Sequence, residues 1–278
     1  MAKETRQTAA EFDLQEQIEE ENKMGTMPIG KLLMNMAWPA ILSMTINAMY
    51  NVVDSIFVSR LNEDALTAVS LVNPIQLMIV ALSVGSGVGI NSLIARRLGA
   101  KNQEAADKAA STSIRIGLFN YLIFLVIGVF FTEMFISGYA ERGTYIFTSA
   151  CNYMAIVCIG SLFTNIEIVL EKVLQSTGNM VAPMLCSLTG AVVNIILDPI
   201  LIFGYFGMPR MEAAGAALAT VIGQLCAMLV AMVIVLKGEH LVKIQLKGFK
   251  MDWKVVADIY KVGFPSIVMQ SIGSFMII

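Results

Sequence analysis

The sequence has few charges and almost no histidine. Only 14% of its 278 residues are charged, whereas 56% are hydrophobic and the mean hydropathy is +0.71. Soluble domains carry about 25% charged and about 45–50% apolar residues, so this composition excludes an ordinary soluble domain. The single histidine, His240, lies in a polar segment and gives no basis for a histidine metal site or catalytic dyad. The net charge of −2 gives no reason to expect a nucleic-acid partner.

Cysteine motifs and phosphate-binding loops are also lacking. The glycine-rich stretch VGSGVGINSLIARRLG lies inside an apolar run with no strand before it, which favours close helix packing over a nucleotide loop. The cysteines stand singly in apolar runs, without CxxC spacing, and are predicted to be small buried hydrophobes: Cys151, Cys158, Cys186 and Cys226. We therefore expect neither an enzyme nor a bound cofactor.

Long apolar runs are what the sequence does contain. Crossing about 30 Å of hydrocarbon takes about 20 apolar residues in a helix. Six runs of sufficient length lie near 32–58, 66–94, 112–136, 145–166, 180–206 and 213–236, and a seventh begins near Val262. We predict an all-α integral membrane protein with a polar cytoplasmic tail (1–28), a six-helix transmembrane lobe (29–237), a cytoplasmic linker (238–261) and the start of a seventh helix (262–278).

The lysines and arginines predict the orientation of these spans. If the N-terminus is cytoplasmic, nearly all of the cations fall in inside segments. The outside loops keep only Arg60, Arg142 and Arg210, while Arg115 lies at the inner edge of the third span. Cytoplasmic loops are the ones that carry an excess of Lys and Arg. We therefore predict a multi-pass protein of the inner (plasma) membrane with its N-terminus in the cytoplasm.

Two similar segments predict an internal repeat. The residues around Pro39 read MAWPAILSMTINAMYN, and those around Pro265 read VGFPSIVMQSIGSFMI. Each has an aromatic residue before the proline and a lysine a few positions earlier. Six helices fit between the two copies, and an even number makes the second copy run in the same direction as the first, which is a parallel repeat. We expect this chain to be the N-terminal lobe of a longer protein, with a C-terminal lobe as its partner.

Two aspartates, Asp54 and Asp198, lie inside predicted spans. An aspartate at the centre of a transmembrane helix costs about 2.5–3.5 kcal/mol, so it is rarely left facing lipid. Counting along the helices at about 1.5 Å per residue puts both aspartates, together with Tyr153 and Thr220, at one level in the outer half of the bilayer. A purely structural alternative is that Asp198 accepts a hydrogen bond from Asn194 and so locks two helices together.

Polar stripes reach both aspartates. Small and polar residues recur at helical spacing on the first and fifth spans: Ser43, Asn47, Asn51 and Asp54, and Ser187, Ala191, Asn194 and Asp198. Such stripes predict a cavity or a bundle interior. Pro39 and Pro199 lack an N–H, so each leaves a backbone carbonyl without its helical partner and lets its helix bend. Two carboxylates in a poorly hydrated pocket need a proton or Na⁺ to neutralise them, which predicts a coupling-ion site between Asp54 and Asp198.

Several motifs resemble one known family. The stretch MNMAWPAILSMTINAMYNVVDSIFVSRLNEDALTAVSLVNPI is similar to the first two helices of the multidrug and toxic compound extrusion (MATE) family. VLQSTGNMVAPMLCSLTGAVVNIILDPILIF resembles its fourth loop and fifth helix, and GAALAT resembles its sixth helix. The motifs occur in the family's order and spacing, and the acidic, methionine-rich character resembles the bacterial MepA-like branch.

The resemblance implies a twelve-helix antiporter with two six-helix lobes around a central cleft. Members export organic cations and other amphipathic drugs across the lipid bilayer in exchange for H⁺ or Na⁺. The residues that match the family's N-lobe cation site are Asp54, Asn194, Asp198, Thr220 and, as its tyrosine, Tyr153. No metal is implied beyond a Na⁺ at Asp54 and Asp198. One branch has a second ion site at a glutamate of helix seven, but that region here reads PSIVMQSIGSF without an acid, which favours the N-lobe site.

Substrate contacts are expected among amides and methionines on the first two spans. The sequence contains 19 methionines, whose unbranched side chains suit an adaptable pocket for varied flat cations. The candidates for this cavity are Met44, Asn47, Asn51, Asn73 and Gln76, with Met49, Met78 and Met154 as further methionines.

Two other functions compete with export. An intramembrane aspartyl protease would need a GxGD-type motif, which neither Asp54 nor Asp198 carries. A lipid-linked oligosaccharide flippase of related fold would line its cleft with basic residues for a diphosphate, whereas this lobe offers only Arg115, near the inner edge. The flippase stays the main alternative.

Overall fold

Helices account for almost all of the residues that the structure, a computed structural model, describes: 28–237, 242 and 252–277. In chain order they are α1 (Ile29–Ser59), α2 (Glu63–Gly99), α3 (Gln103–Ile136), α4 (Tyr145–Ser176), α5 (Val181–Phe203), α6 (Ala213–Lys237) and α7 (Trp253–Ile277). Helices α1 to α6 are each long and apolar enough to cross a membrane. The predicted all-α membrane fold with six spans is confirmed.

The helix ends follow from short polar side chains. Asn62 caps α2 by accepting a hydrogen bond from Ala65 N at 2.6 Å, and Asn102 and Thr144 cap α3 and α4 in the same way. Such caps satisfy backbone N–H groups that the first helical turn leaves without partners. Gly204 ends α5 in the left-handed conformation, with φ of 76°.

One helix changes its winding near its end. In α3 a π-helical turn, Ile127–Phe131, separates the long α-helical segment from the short terminal one, Thr132–Ile136. The wider turn brings Gly128 against Cys158 of α4, so that a β-carbon at Gly128 would overlap that side chain. Close packing against α4 therefore accompanies this local irregularity.

The described residues form three buried apolar clusters, the smallest of which joins α4, α5 and α6 around Cys186 and Ala227. α2 and α4 pack against each other, α6 packs against both α4 and α5, and α1 rests mainly on α5. The two larger clusters surround Val72, Tyr153 and Ile202 in one case and Ile90 and Ile259 in the other, so α7 belongs to the cluster around Ile90. α1 stays largely exposed along its length.

Glycines set the closest helix contacts. Between α5 and α6, a β-carbon at Gly223 would lie 2.8 Å from the carbonyl oxygen of Gly190. Between α2 and α7, a β-carbon at Gly263 would lie 2.7 Å from the carbonyl oxygen of Gly85, and one at Gly89 would overlap the carbonyl of Ile259. At both seams the backbones themselves are in contact, as small residues allow in membrane bundles.

Two hydrogen bonds accompany the α2–α7 seam. Tyr260 Oη donates to Asn120 Oδ1 at 3.0 Å, and Ser274 Oγ donates to the carbonyl of Pro74 at 2.7 Å. Asn120 in turn donates to Ser86 Oγ at 3.1 Å, so α2, α3 and α7 are joined by one polar chain.

The seventh helix differs from its prediction. It begins at Trp253, nine residues before Val262, so the end of the predicted linker 238–261 is helical. The sequence WKVVADIYK is amphipathic rather than uniformly apolar, and it buries Val255 and Ile259 against the bundle. A scan for apolar runs does not detect such a segment. Residues 1–27 of the predicted tail and most of the residues between 238 and 251 lie outside the described residues.

Candidate cation-binding site

The centre of the site is one polar turn of α5. Asn194 and Asp198 lie one turn apart, and their exposed fractions are 2% and 0%. The approach of α5 to α6 places Thr220 beside them, because Gly223, one turn along α6 from Thr220, carries no side chain that would separate the helices. Gly223 thus serves the site by its small size.

The amide of Asn194 connects the two helices. Its Nδ2 lies 3.3 Å from an Asp198 carboxylate oxygen in either orientation of the amide group. In the orientation that satisfies both neighbours, its oxygen also accepts from the backbone N of Thr220 at 3.2 Å. Asp198 therefore has one amide partner and keeps acceptor capacity for another ligand.

Asp54 approaches the site from α1. It is partly buried, and its Oδ1 is enclosed without a hydrogen-bond partner among the described residues. Its charge interacts with that of Asp198, so the two carboxylates lie within electrostatic range of each other. A buried carboxylate oxygen without a donor is costly unless a proton or a cation neutralises it. The structure thus brings together the two aspartates that the sequence singled out.

A tyrosine and a glutamine border the acids. Tyr153 of α4 is 2% exposed, and its hydroxyl accepts from Gln76 Nε2 of α2 at 3.4 Å. The Tyr153 hydroxyl also lies within electrostatic range of both Asp54 and Asp198. Gln76, predicted as a substrate contact, therefore lies beside the predicted cation site.

Sequence reasoning missed Tyr50. This side chain is partly buried and lies within electrostatic range of Asp54 and Asp198, and also of Glu167 on α4. It precedes Asp54 by four residues and so lies on the same face of α1. The spacing of four residues from Asp54 is the sequence signal for Tyr50. The polar stripe Ser43, Asn47, Asn51 and Asp54 does not include it.

The other predicted substrate residues lie apart from this interior. Met44 is 73% exposed, and Asn47, Asn51 and Asn73 are also exposed. Asn51 Nδ2 donates to the backbone carbonyl of Asn47 at 2.8 Å, along the surface of α1. Among the further methionines, Met49 is exposed, Met78 is partly buried and Met154 is fully buried.

The two helix-bending candidates lie inside continuous helices. Pro39 is buried within α1, and Pro199 directly follows Asp198 within α5.

Among the described residues, no group of three or more His, Cys, Asp or Glu could hold a metal ion. A carboxylate pair with amide, hydroxyl and carbonyl oxygens nearby suits a proton or a small hard cation such as Na⁺.

Similarity to known proteins identifies the family of this chain. The family model MatE matches residues 39–200, which is more than half of the chain. The chain belongs to the MatE family. This MatE chain is 28% identical over 250 residues to the multidrug export protein MepA of Staphylococcus aureus, covering 89% of this chain and 54% of MepA. The resemblance to the MATE family and to its MepA-like branch is confirmed.

Solved structures of the family have the same fold. A crystal structure of MATE in complex with MaL6 matches with a TM-score of 0.81 and 29% identity, covering 86% of this MatE chain and 52% of that one. An outward-facing multidrug resistance MATE transporter of the MOP superfamily matches with a TM-score of 0.77 and 30% identity, with the same coverage. The chain thus spans about half the length of the relatives it matches.

Proposed function

We propose that this chain supplies one six-helix lobe of a secondary multidrug exporter, which exchanges organic cations or amphipathic drugs for H⁺ or Na⁺. The observation that carries the ion coupling is the enclosed Asp54 Oδ1, without a hydrogen-bond donor and within electrostatic range of Asp198. The export activity is supported by the matched relatives, whose names describe multidrug export and multidrug resistance.

The carboxylates couple ion binding to the position of α1. With both ionised, Asp54 and Asp198 repel each other across the contact between α1 and α5. A proton or Na⁺ removes this repulsion and draws α1 toward α5. Because α1 rests mainly on α5 and is otherwise exposed, it is the helix that can respond. Pro39 and Pro199 supply the bending points, since each removes one helical hydrogen bond.

This movement releases substrate by changing the surface that α1 presents. Asn47, Asn51 and Met44 lie on exposed parts of α1, where they would contact a drug in the cleft between two lobes. Ion binding shrinks the pocket on this lobe and releases the drug outward. Loss of the ion during the return to the inward-facing state restores the pocket.

The flippase alternative is not favoured, because the acids and amides gathered here do not suit a diphosphate.

The test replaces each carboxylate with its neutral isostere. Asp198→Asn and Asp54→Asn are made in the full-length transporter, reconstituted in liposomes that contain a fluorescent organic cation. Efflux is measured under an imposed H⁺ gradient and, separately, under a Na⁺ gradient. We expect both variants to reach the membrane in normal amounts and to lose ion-driven efflux. The gradient that drives wild-type efflux identifies the coupling ion.

The matched control is Asp64→Asn, because Asp64 is exposed in the first turn of α2, away from the site. This variant should keep wild-type efflux. Normal ion-driven efflux by Asp198→Asn would contradict the proposed role of the carboxylate pair.

A further inference from the structure

A cleft opens at the end of the bundle opposite the carboxylate pair. It lies between the end of α2 and the starts of α3 and α7, and its volume is about 450 Å³. Three cationic side chains, Arg96, Arg97 and Lys108, line it together with one carboxylate, Asp252. The excess of positive charge makes the cleft attractive to an anion.

The ion pairs within the cleft leave part of this charge unneutralised. Lys108 Nζ lies 2.6 Å from Asp252 Oδ2, and this contact lowers the pKa of the Asp252 carboxyl below its ordinary value. Arg97 donates to the carbonyl of Ala105 at 2.8 Å and lies 3.9 Å from the mostly exposed Asp258. Arg96 is exposed and forms no ion pair with any residue between 28 and 237 or 252 and 277.

A second cleft lies beside the first and shares Arg96 with it. It has a volume of about 400 Å³ and is lined by Leu93, Val262, Lys261 and Asp258. Leu93 lies one turn further into the bundle than Arg96, and Val262 lies more than two turns inside the start of α7. The combined space is therefore cationic at its rim and partly apolar toward the membrane, with Arg96 and Lys261 at the boundary.

Two features favour a phosphate among possible anions. Arg96 presents a planar fork of donors that matches phosphate oxygens, and Lys261 adds a point charge beside it. Asn102 and Ala105, at the N-terminus of α3, also line the first cleft, and helix N-termini attract negative charge.

We propose that these two adjacent clefts bind the phosphate headgroup of an anionic phospholipid of the cytoplasmic leaflet. Arg96 and Lys261 contact the phosphate, while the surface around Leu93 and Val262 receives the start of the acyl chains. A lipid fits better than a soluble phosphate because the clefts lie at the ends of membrane-spanning helices and combine a cationic rim with an apolar wall. Bound in this place, the lipid joins α2 to α7. Its binding does not depend on ion-coupled transport.

The experiment measures lipid binding directly. The full-length transporter is purified in detergent and titrated with phosphatidylglycerol or phosphatidylcholine, and bound lipid is counted by native mass spectrometry. We expect tighter binding of phosphatidylglycerol, and Arg96→Gln and Lys261→Gln should each weaken it about fivefold, as expected for one basic residue near an anionic headgroup. Arg96→Lys keeps the charge but loses the planar fork of donors, so its affinity should lie between those of the wild type and Arg96→Gln.

Arg142→Gln is the matched control, since Arg142 is exposed in the connection between α3 and α4, at the other end of the bundle. It should leave phosphatidylglycerol affinity unchanged. Equal affinity for the two lipids, or equal effects of Arg96→Gln and Arg142→Gln, would overturn the proposal. Glycerol phosphate without acyl chains should compete only weakly. If it binds as tightly as phosphatidylglycerol, the site takes a soluble phosphate and the lipid assignment is wrong.

Discussion

Replacing Gly223 with alanine tests how the contact between α5 and α6 supports the proposed cation site. The new β-carbon would lie 2.8 Å from the carbonyl oxygen of Gly190 and 3.3 Å from Cβ of Asn194. Ordinary van der Waals contact begins at 3.4 Å, so the two helices must separate by about 0.6 Å. The obstacle is backbone, which cannot turn aside as the end of a flexible side chain could.

Two opposing effects set the size of the change. Alanine is favoured over glycine in a helix by up to about 1 kcal/mol. Overpacking of a close contact costs about 1–3 kcal/mol. The second effect is larger here because both neighbours are held in helices, so we expect net destabilisation of about 1–2 kcal/mol. The same separation would lengthen the contact between the Asn194 amide and Thr220, which is already 3.2 Å long, and weaken ion binding.

The assay combines thermal unfolding of the full-length transporter in detergent with its stabilisation by added Na⁺ or by low pH. Gly223→Ala should unfold a few degrees below wild type and should respond less to the ion. Gly30→Ala is the control, because a β-carbon at Gly30 meets nothing within 4 Å. If Gly223→Ala unfolds at or above the wild-type temperature with a full ion response, the close approach of α5 and α6 does not position the site.

Two further predictions concern single polar contacts. Thr164 Oγ1 donates to Gln224 Oε1 at 2.5 Å between α4 and α6, so Thr164→Val should cost about 0.6–1.7 kcal/mol, and a double-mutant cycle with Gln224→Met should recover most of that as coupling energy. For Asp252, the Lys108 contact lowers the folded-state pKa, so its stabilising contribution is present above the unfolded-state pKa, near about pH 4, and is lost as the pH falls below it. Asp252→Asn should remove this part of the pH dependence of thermal unfolding, and an unchanged profile between about pH 3 and 6 would show that the contact contributes nothing.

Much of the fold could be predicted because hydrocarbon imposes a length on each span. The six apolar runs correspond to α1 to α6, since about 20 apolar residues in sequence have few alternatives to a membrane helix. The start of α7 could not be found in this way. In its first turns, from Trp253, Val255 and Ile259 are buried one helical turn apart, and their burial depends on contact with α2 and α3. An apolar average does not detect a helix whose hydrophobic surface is only one stripe.

The sequence predicts the level of the candidate site residues in the membrane, because that level depends only on distance along each helix. Asp54, Asp198 and Tyr153 could be placed at one level by counting residues along helices of known direction. The rotation of each helix about its axis could not be obtained by counting. The rotation of α1 places Tyr50 near the acids, whereas Asn47 and Asn51, on the same helix, are exposed. The close contact of Gly223 with Gly190 beside Asn194 could not be predicted either, because the sequence does not show which helix a glycine faces.

The glycine seam between α2 and α7 has a mechanical consequence. Where backbones touch at Gly85 and Gly263, few side chains must lose or regain rotamer freedom when the helices part or meet. At this seam α7 is held by close backbone contact and by the hydrogen bonds of Tyr260 and Ser274, whereas nearer its start it is held by the buried side chains of Val255 and Ile259. Parting the helices at the glycine seam therefore frees fewer side chains than parting them at Val255 and Ile259 would.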